Sequence, residues 1–210
     1  MKKLSLLALL VAVLVAGIAC TQAAPSQKVP PTPFVSQKEA ILAPPFEQTN
    51  QFGQTTSLSQ LRGKVVVLTF LYSNCPDTCP LLISKIQQAM TELGSPTDEV
   101  TLVAVTVDPE RDTVQRLREH TSSLSFYWQY LTGEPEQVKS VWDNYGIYAA
   151  PQKEEMSIGG QSHADHQGYE VIHTTVVILI DKEGFQRSIL LGEWWQPAEL
   201  EEKLRQLLSE

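Results

Sequence analysis

The chain has 210 residues, 42% of them hydrophobic and 19% charged, which is the make-up of a globular protein rather than a disordered or fibrous one. Its 16 basic and 24 acidic residues give a net charge of −8, a poor basis for holding phosphate backbones, so nucleic-acid binding is excluded as a class. Three cysteines are too few for a disulfide scaffold. At ~100–200 residues per domain, the length allows one domain with a core of its own, or two small ones.

The first element in chain order is an address. Lys2 and Lys3 precede an apolar run from Leu4 to Ala19. As a helix rising 1.5 Å per residue the run is ~24 Å long, short of the ~30 Å hydrocarbon core of a bilayer. A basic start, a short apolar stretch and small residues before a cysteine mark residues 1–19 as a secretory signal peptide. Gly17-Ile18-Ala19-Cys20 resembles a bacterial lipobox, with Gly17 where leucine is usual. The resemblance implies lipidation of Cys20 and a protein held on the outward face of the cell membrane. An uncleaved anchor helix and plain signal cleavage are the alternatives. Residues 20–45 carry Pro25, Pro30, Pro31, Pro33, Pro44 and Pro45 and read as an extended tether that buries little. The globular domain is expected over residues 46–210.

Residues 46–61 predict a small N-terminal hairpin turning near Asn50-Gln51-Phe52-Gly53. Three continuous β-branched runs, Val65–Leu71, 101–107 and 174–180, read as strands covered on both faces. Between the first two, Leu82, Ile86, Ala89, Met90 and Leu93 recur at helical spacing, with Gly94 as the stop. That makes a βαβ unit, right-handed by rule. Residues 112–120 and 134–145 predict two further helices. Residues 149–167, polar and glycine-containing, read as a loop inserted before the third buried strand. Asp181-Lys182-Glu183-Gly184 joins that strand to Phe185–Leu191 as a hairpin, and Pro197 opens a last helix ending near Leu208. The order is that of an α/β, thioredoxin-like fold, a central mixed sheet flanked by helices.

Tyr72-Ser73-Asn74-Cys75-Pro76-Asp77-Thr78-Cys79-Pro80 lies between the first buried strand and its helix, at the carboxyl end where open α/β sheets place their sites. With Cys20 assigned to lipid, Cys75 and Cys79 remain as an even pair. Pro80 is favourable as the first helical residue, which makes Cys79 the expected N-cap, where the helix dipole favours thiolate. Cys75 lies on the loop that folds back over it. The two sulfurs can form a redox-active disulfide or clasp one metal ion. A purely structural disulfide is disfavoured, because so short a loop removes little entropy from the unfolded chain. The extra residue beyond Cys-x-x-Cys weakens a purely redox reading.

His173 immediately precedes the third buried strand, which in a thioredoxin-like layout enters beside the cysteine loop. Two thiolates and one imidazole make a three-coordinate site; thiolate selects Cu(I) and imidazole adds tolerance for Cu(II). A core histidine satisfied by a carbonyl, or a general base toward a cysteine, are the other readings of His173. Structural zinc would ordinarily want a fourth protein ligand.

Cys-x-x-x-Cys-Pro after a buried strand, Val107-Asp108-Pro109-Glu110-Arg111-Asp112-Thr113, and Tyr169-Glu170-Val171-Ile172-His173-Thr174 together resemble the Sco/SenC family over about residues 46–208. The resemblance implies a membrane-tethered copper chaperone that builds the binuclear copper centre of cytochrome c oxidase subunit II, with Cys75, Cys79 and His173 as ligands. It also implies exchange with another periplasmic copper carrier or a thioredoxin-like reductant. One departure is Ile172, where many members have aspartate. The alternative function is a thiol–disulfide oxidoreductase keeping the acceptor's cysteines reduced; a peroxidase would need only one activated cysteine.

Asp108 is expected beside the site, orienting a ligand or meeting a partner, whereas Arg111 and Asp112 read first as a helix-capping turn. His163 and His166 are spaced for a weak accessory metal site or for a solvated loop. Trp194 and Trp195 predict core packing with one ring exposed.

Overall fold

The structure, a computed structural model, describes residues 34–94, 97–152 and 169–210. Thr32–Glu210 is one compact unit. The expected signal peptide, Cys20, His163 and His166 lie outside the described residues. Among the described residues no helix is long and apolar enough to cross a membrane.

The three buried runs form the middle of the sheet. β4 (Val65–Leu71), β5 (Val100–Thr106) and β9 (Val176–Ile180) are buried at every position, as strands covered on both faces must be. β4 pairs parallel with β5 and antiparallel with β9. The hairpin residues fall where expected, as β2 (Glu47–Asn50) and β3 (Thr55–Ser57). The Asn50 side chain braces the turn between them by accepting from the Phe52 and Gln54 amides at 2.9 and 3.0 Å. β10 (Phe185–Leu191) returns antiparallel to β9 through the Gly184 turn.

Two strands of this sheet fall outside the expected set. β6 (Trp128–Thr132) pairs parallel with β5 and antiparallel with β2, so it joins the hairpin to the sheet. β1 (Phe34–Leu42) pairs antiparallel with β10, within a segment expected to be tether. The sheet order is β1-β10-β9-β4-β5-β6-β2-β3. The inserted loop also has structured ends. β7 (Ala149–Gln152) and β8 (Glu170–His173) pair antiparallel as a separate two-stranded ribbon; residues 153–168 between them lie outside the described residues.

The helices are α1 (Thr78–Leu93), α2 (Val114–Thr121), α3 (Pro135–Tyr145) and α4 (Pro197–Leu208). α1 buries Leu82, Ile83, Ile86, Ala89, Met90 and Leu93, one stripe at helical spacing, and packs with α4. At ~25 cal/mol per Å², each such fully buried aliphatic side chain contributes about 1.5–3 kcal/mol. α1 begins two residues before Pro80, so Asp77 rather than Cys79 is the N-cap.

Candidate metal centre

The cysteine loop leaves the carboxyl end of β4. Val107 N–H donates to the Leu71 carbonyl at 2.9 Å, extending the β4–β5 ladder to the point where the loop departs. Cys79 sits in the first turn of α1, where it is buried, and Cys75 is half-buried on the loop. The Cys79 backbone N–H donates to Cys75 Sγ at 3.3 Å. The Cys79 thiol also donates to Cys75, which lowers the Cys75 thiol to about 6 against the opposing effect of burial. The amides of Cys79 and Asp77 and the Tyr72 hydroxyl add to the lowering. Cys79 moves the other way: donating to Cys75 and burial both hold it as the thiol. The helix N-terminus thus favours a thiolate, as the sequence predicts, but delivers it to Cys75 and not to Cys79.

His173 ends β8, paired with Ala149. Its Nδ1 lies 3.1 Å from the Thr174 carbonyl. A carbonyl only accepts, so Nδ1 carries the proton and Nε2 presents a lone pair. That Nε2 is 3.9 Å from Cys79 Sγ. Burial lowers the imidazole's affinity for a second proton and keeps it neutral. Thr174 fixes the ring, its N–H bonded to the Tyr148 carbonyl at 2.9 Å and its Oγ1 accepting from Tyr148 N–H at 3.0 Å. Ile172 is exposed, on the strand face opposite His173.

With metal–sulfur and metal–nitrogen bonds of about 2.3 and 2.0 Å, two ligands at a trigonal angle stand about 3.7 Å apart. The 3.9 Å between Cys79 Sγ and His173 Nε2 matches that spacing. Cys75 Sγ is tied to Cys79 by the hydrogen bond it accepts from the Cys79 backbone N–H. Among the described residues no three of His, Cys, Asp and Glu are already drawn in to metal-holding distance. The structure therefore brings Cys79 to His173 and Cys75 to Cys79.

Beneath the two halves runs the turn at residues 107–113. Asp108 is buried, pairs with Arg111 and accepts from the Tyr169 hydroxyl at 2.8 Å. Burial and that bond push the Tyr169 phenol up to about 12, so it stays a donor at neutral pH. Arg111 donates to the Tyr169 carbonyl at 2.8 Å and stacks over the Tyr169 ring at 3.8 Å. Asp112 is fully buried and accepts from the Ser73 amide at 3.1 Å, from the Ser73 hydroxyl, and from Thr106 Oγ1 at 2.6 Å. The capping expected of Asp112 is done by Thr113, whose Oγ1 accepts from Arg116 N–H at 3.2 Å. Asp112 is thus a site residue that the sequence hid behind a capping pattern. Tyr72 is another: its ring lies edge-on to His173 at 5.8 Å and its hydroxyl accepts from Val171 N–H at 3.3 Å. Of the tryptophans, Trp195 is fully buried and Trp194 is 70% exposed, as expected.

A sheet of this order, with a dithiol after β4 and an imidazole facing it from the strand before β9, defines a thioredoxin-like domain with a Cys/Cys/His cluster. The family model SCO1/SenC matches residues 35–209, and the chain belongs to the SCO1/SenC family. The match opens inside β1, as the sheet does. An SCO2-like protein of Rickettsia prowazekii (strain Madrid E) is 32% identical over 140 residues, 67% of this chain and 64% of that protein. The chain therefore spans under two thirds of that relative's length. A mitochondrial SCO1 homolog of Arabidopsis thaliana is 32% identical over 149 residues, 70% of this chain and 42% of that protein. Among solved structures, Bradyrhizobium japonicum ScoI with copper bound superposes with a TM-score of 0.67 at 27% identity, covering 79% of this chain and 99% of that one. Arabidopsis thaliana ScoI with copper bound gives a TM-score of 0.69 at 27% identity, covering 80% and 98%.

Proposed function

We propose that this protein binds copper through Cys75, Cys79 and His173 and delivers it during cytochrome c oxidase assembly, with the binuclear centre of subunit II as the acceptor. The protein would work from a lipid anchor at Cys20, on the outward face of the cell membrane, loaded by another periplasmic copper carrier. The observation that carries the reading is the unprotonated Nε2 of His173 facing Cys79 Sγ at 3.9 Å, with Cys75 as a ready thiolate beside it. Two family members solved with copper bound support it. Thiolates hold Cu(I), and the imidazole lets the site keep Cu(II) as well. An anaerobic Cu(I) titration against a competing chelator, followed by X-ray absorption, tests the reading. One copper per monomer with two sulfurs and one nitrogen is expected. Four sulfurs, a site shared by two copies, would overturn the monomer site; no chelator-competing copper would overturn the function.

The lowered Cys75 thiol favours a second activity, a dithiol–disulfide exchange that keeps acceptor cysteines reduced with electrons from a thioredoxin-like partner. It becomes the leading reading if removing His173 leaves copper binding intact.

A further inference from the structure

The turn at residues 107–113 holds both halves of the site at once. One arm is Asp112, whose carboxylate takes both donors of Ser73, two residues before Cys75. Arg116 supports the same loop, its Nε donating to Ser73 Oγ at 3.1 Å. The other arm is Asp108 with Arg111, which together hold the hydroxyl, carbonyl and ring of Tyr169, the residue that leads into β8 and so to His173. Between the arms, Arg111 also lies over the Tyr72 ring at 5.9 Å, and Tyr72 touches His173. Asp108 and Asp112 are 3% and 0% exposed. Burying two carboxylates four residues apart costs free energy that an apolar pair would not, and neither one caps a helix. What they do instead is tie the two segments to one common base.

We infer that Asp112 and Asp108 are positioning residues for the metal centre: Asp112 sets the cysteine loop through Ser73, Asp108 sets the histidine ribbon through Tyr169, and their shared turn fixes how far Cys79 stands from His173. The inference rests on the proposed copper function for its purpose and on the hydrogen bonds alone for its geometry. Each arm is separable, because each ends on a different residue of the site.

Two conservative variants each take one side-chain hydroxyl from one arm without burying or exposing a charge: Ser73→Ala removes the hydroxyl bond to Asp112 and Tyr169→Phe the one to Asp108. Two metal-free readouts follow them, the imidazole nitrogen shifts of His173 by NMR and the iodoacetamide rate of Cys75 at one fixed pH. Tyr169→Phe is expected to reduce the Nδ1–H tautomer of His173 and to leave the Cys75 rate within about twofold. Ser73→Ala is expected to change the Cys75 rate severalfold and to leave the His173 shifts unmoved. In copper titrations, Tyr169→Phe should weaken Cu(II) binding about tenfold, the low end of what disturbing the support around a ligand costs, and should have no effect in a His173→Ala background. If both variants move both readouts together, along with melting temperature, the turn is general scaffolding and the inference fails. If neither readout moves, it fails as well. Should the wild type hold no copper, the functional reading falls, while the two metal-free readouts still decide this inference.

Discussion

The backbone amide of Cys79 points at Cys75 Sγ, 3.3 Å away, and together with the Cys79 thiol it makes Cys75 the outer thiolate and Cys79 the inner thiol of the pair. In a thiol exchange the outer sulfur would attack and the inner one would resolve. For metal uptake the same arrangement offers one ligand already deprotonated and a second that releases its proton as copper enters.

The pH dependence of alkylation reports this division. Iodoacetamide should label Cys75 of the metal-free protein along a curve with a midpoint of about 6, while Cys79 stays unlabelled well above neutral pH. Mass spectrometry of the two peptides checks it. Equal labelling of both at pH 7 would contradict the assignment, and bound Cu(I) should protect both.

His173→Ala should keep the circular dichroism of the wild type, because β9 is held by its own five buried residues. Its copper affinity should fall by more than the about 10–100-fold that losing an outer partner costs. The loss should be greater for Cu(II), which favours nitrogen, than for Cu(I). Chelator competition for each state measures it, and cells carrying only this variant should fail to assemble oxidase.

Stability should fall in mild acid. His120 lies edge-on to the buried Tyr130 at 5.5 Å, and burial, with Arg116 nearby, lowers its pKa. His173 is lowered in the same direction by burial. The unfolded chain, with histidines near 6.5, then binds more protons than the folded one, so stability is complete above about pH 6.5 and is lost as pH falls through the folded values. Asp112, raised by burial, acts in the opposite sense from about pH 3.9 upward. His120→Gln should flatten the acid slope relative to wild type, a difference in which the Asp112 contribution cancels. Urea titrations at a series of pH values measure it.

Cys20→Ser should abolish lipidation. The variant is expected to lose the mass of the lipid and to leave the membrane fraction, whereas an intact Met1 on the native protein would point to an uncleaved anchor instead.

Much of this architecture is legible in the sequence because buried strands write themselves as unbroken β-branched runs. Val65–Leu71, Pro197–Leu208 and Phe185–Leu191 fall at the predicted bounds. β6 escaped because Gln129 interrupts its five residues, and β7 and β8 because each is short and half polar. Both facing partners of the site, Cys79 and His173, are legible from their places at strand ends. The role of Asp112 is not, since an aspartate before a threonine at a helix start reads as capping and its true partner, Ser73, is 39 residues away. Which cysteine carries the charge depends on where the Cys79 thiol and the neighbouring amides point, a detail that spacing does not encode.

The pairing of β1 with β10 bears on how the protein is handled. Phe34–Leu42 covers the outer edge of Phe185–Leu191 from Leu190 down to Phe185, and Ala43 N–H continues the ladder to the Gly184 carbonyl at 3.0 Å. A fragment cut to begin at Phe46 would bare that edge, including Ile189 and Leu190, as an open template for another chain. Such a truncation invites aggregation at high concentration even with its copper ligands untouched, so a recombinant form of this domain has to begin at or before Phe34 to stay monodisperse.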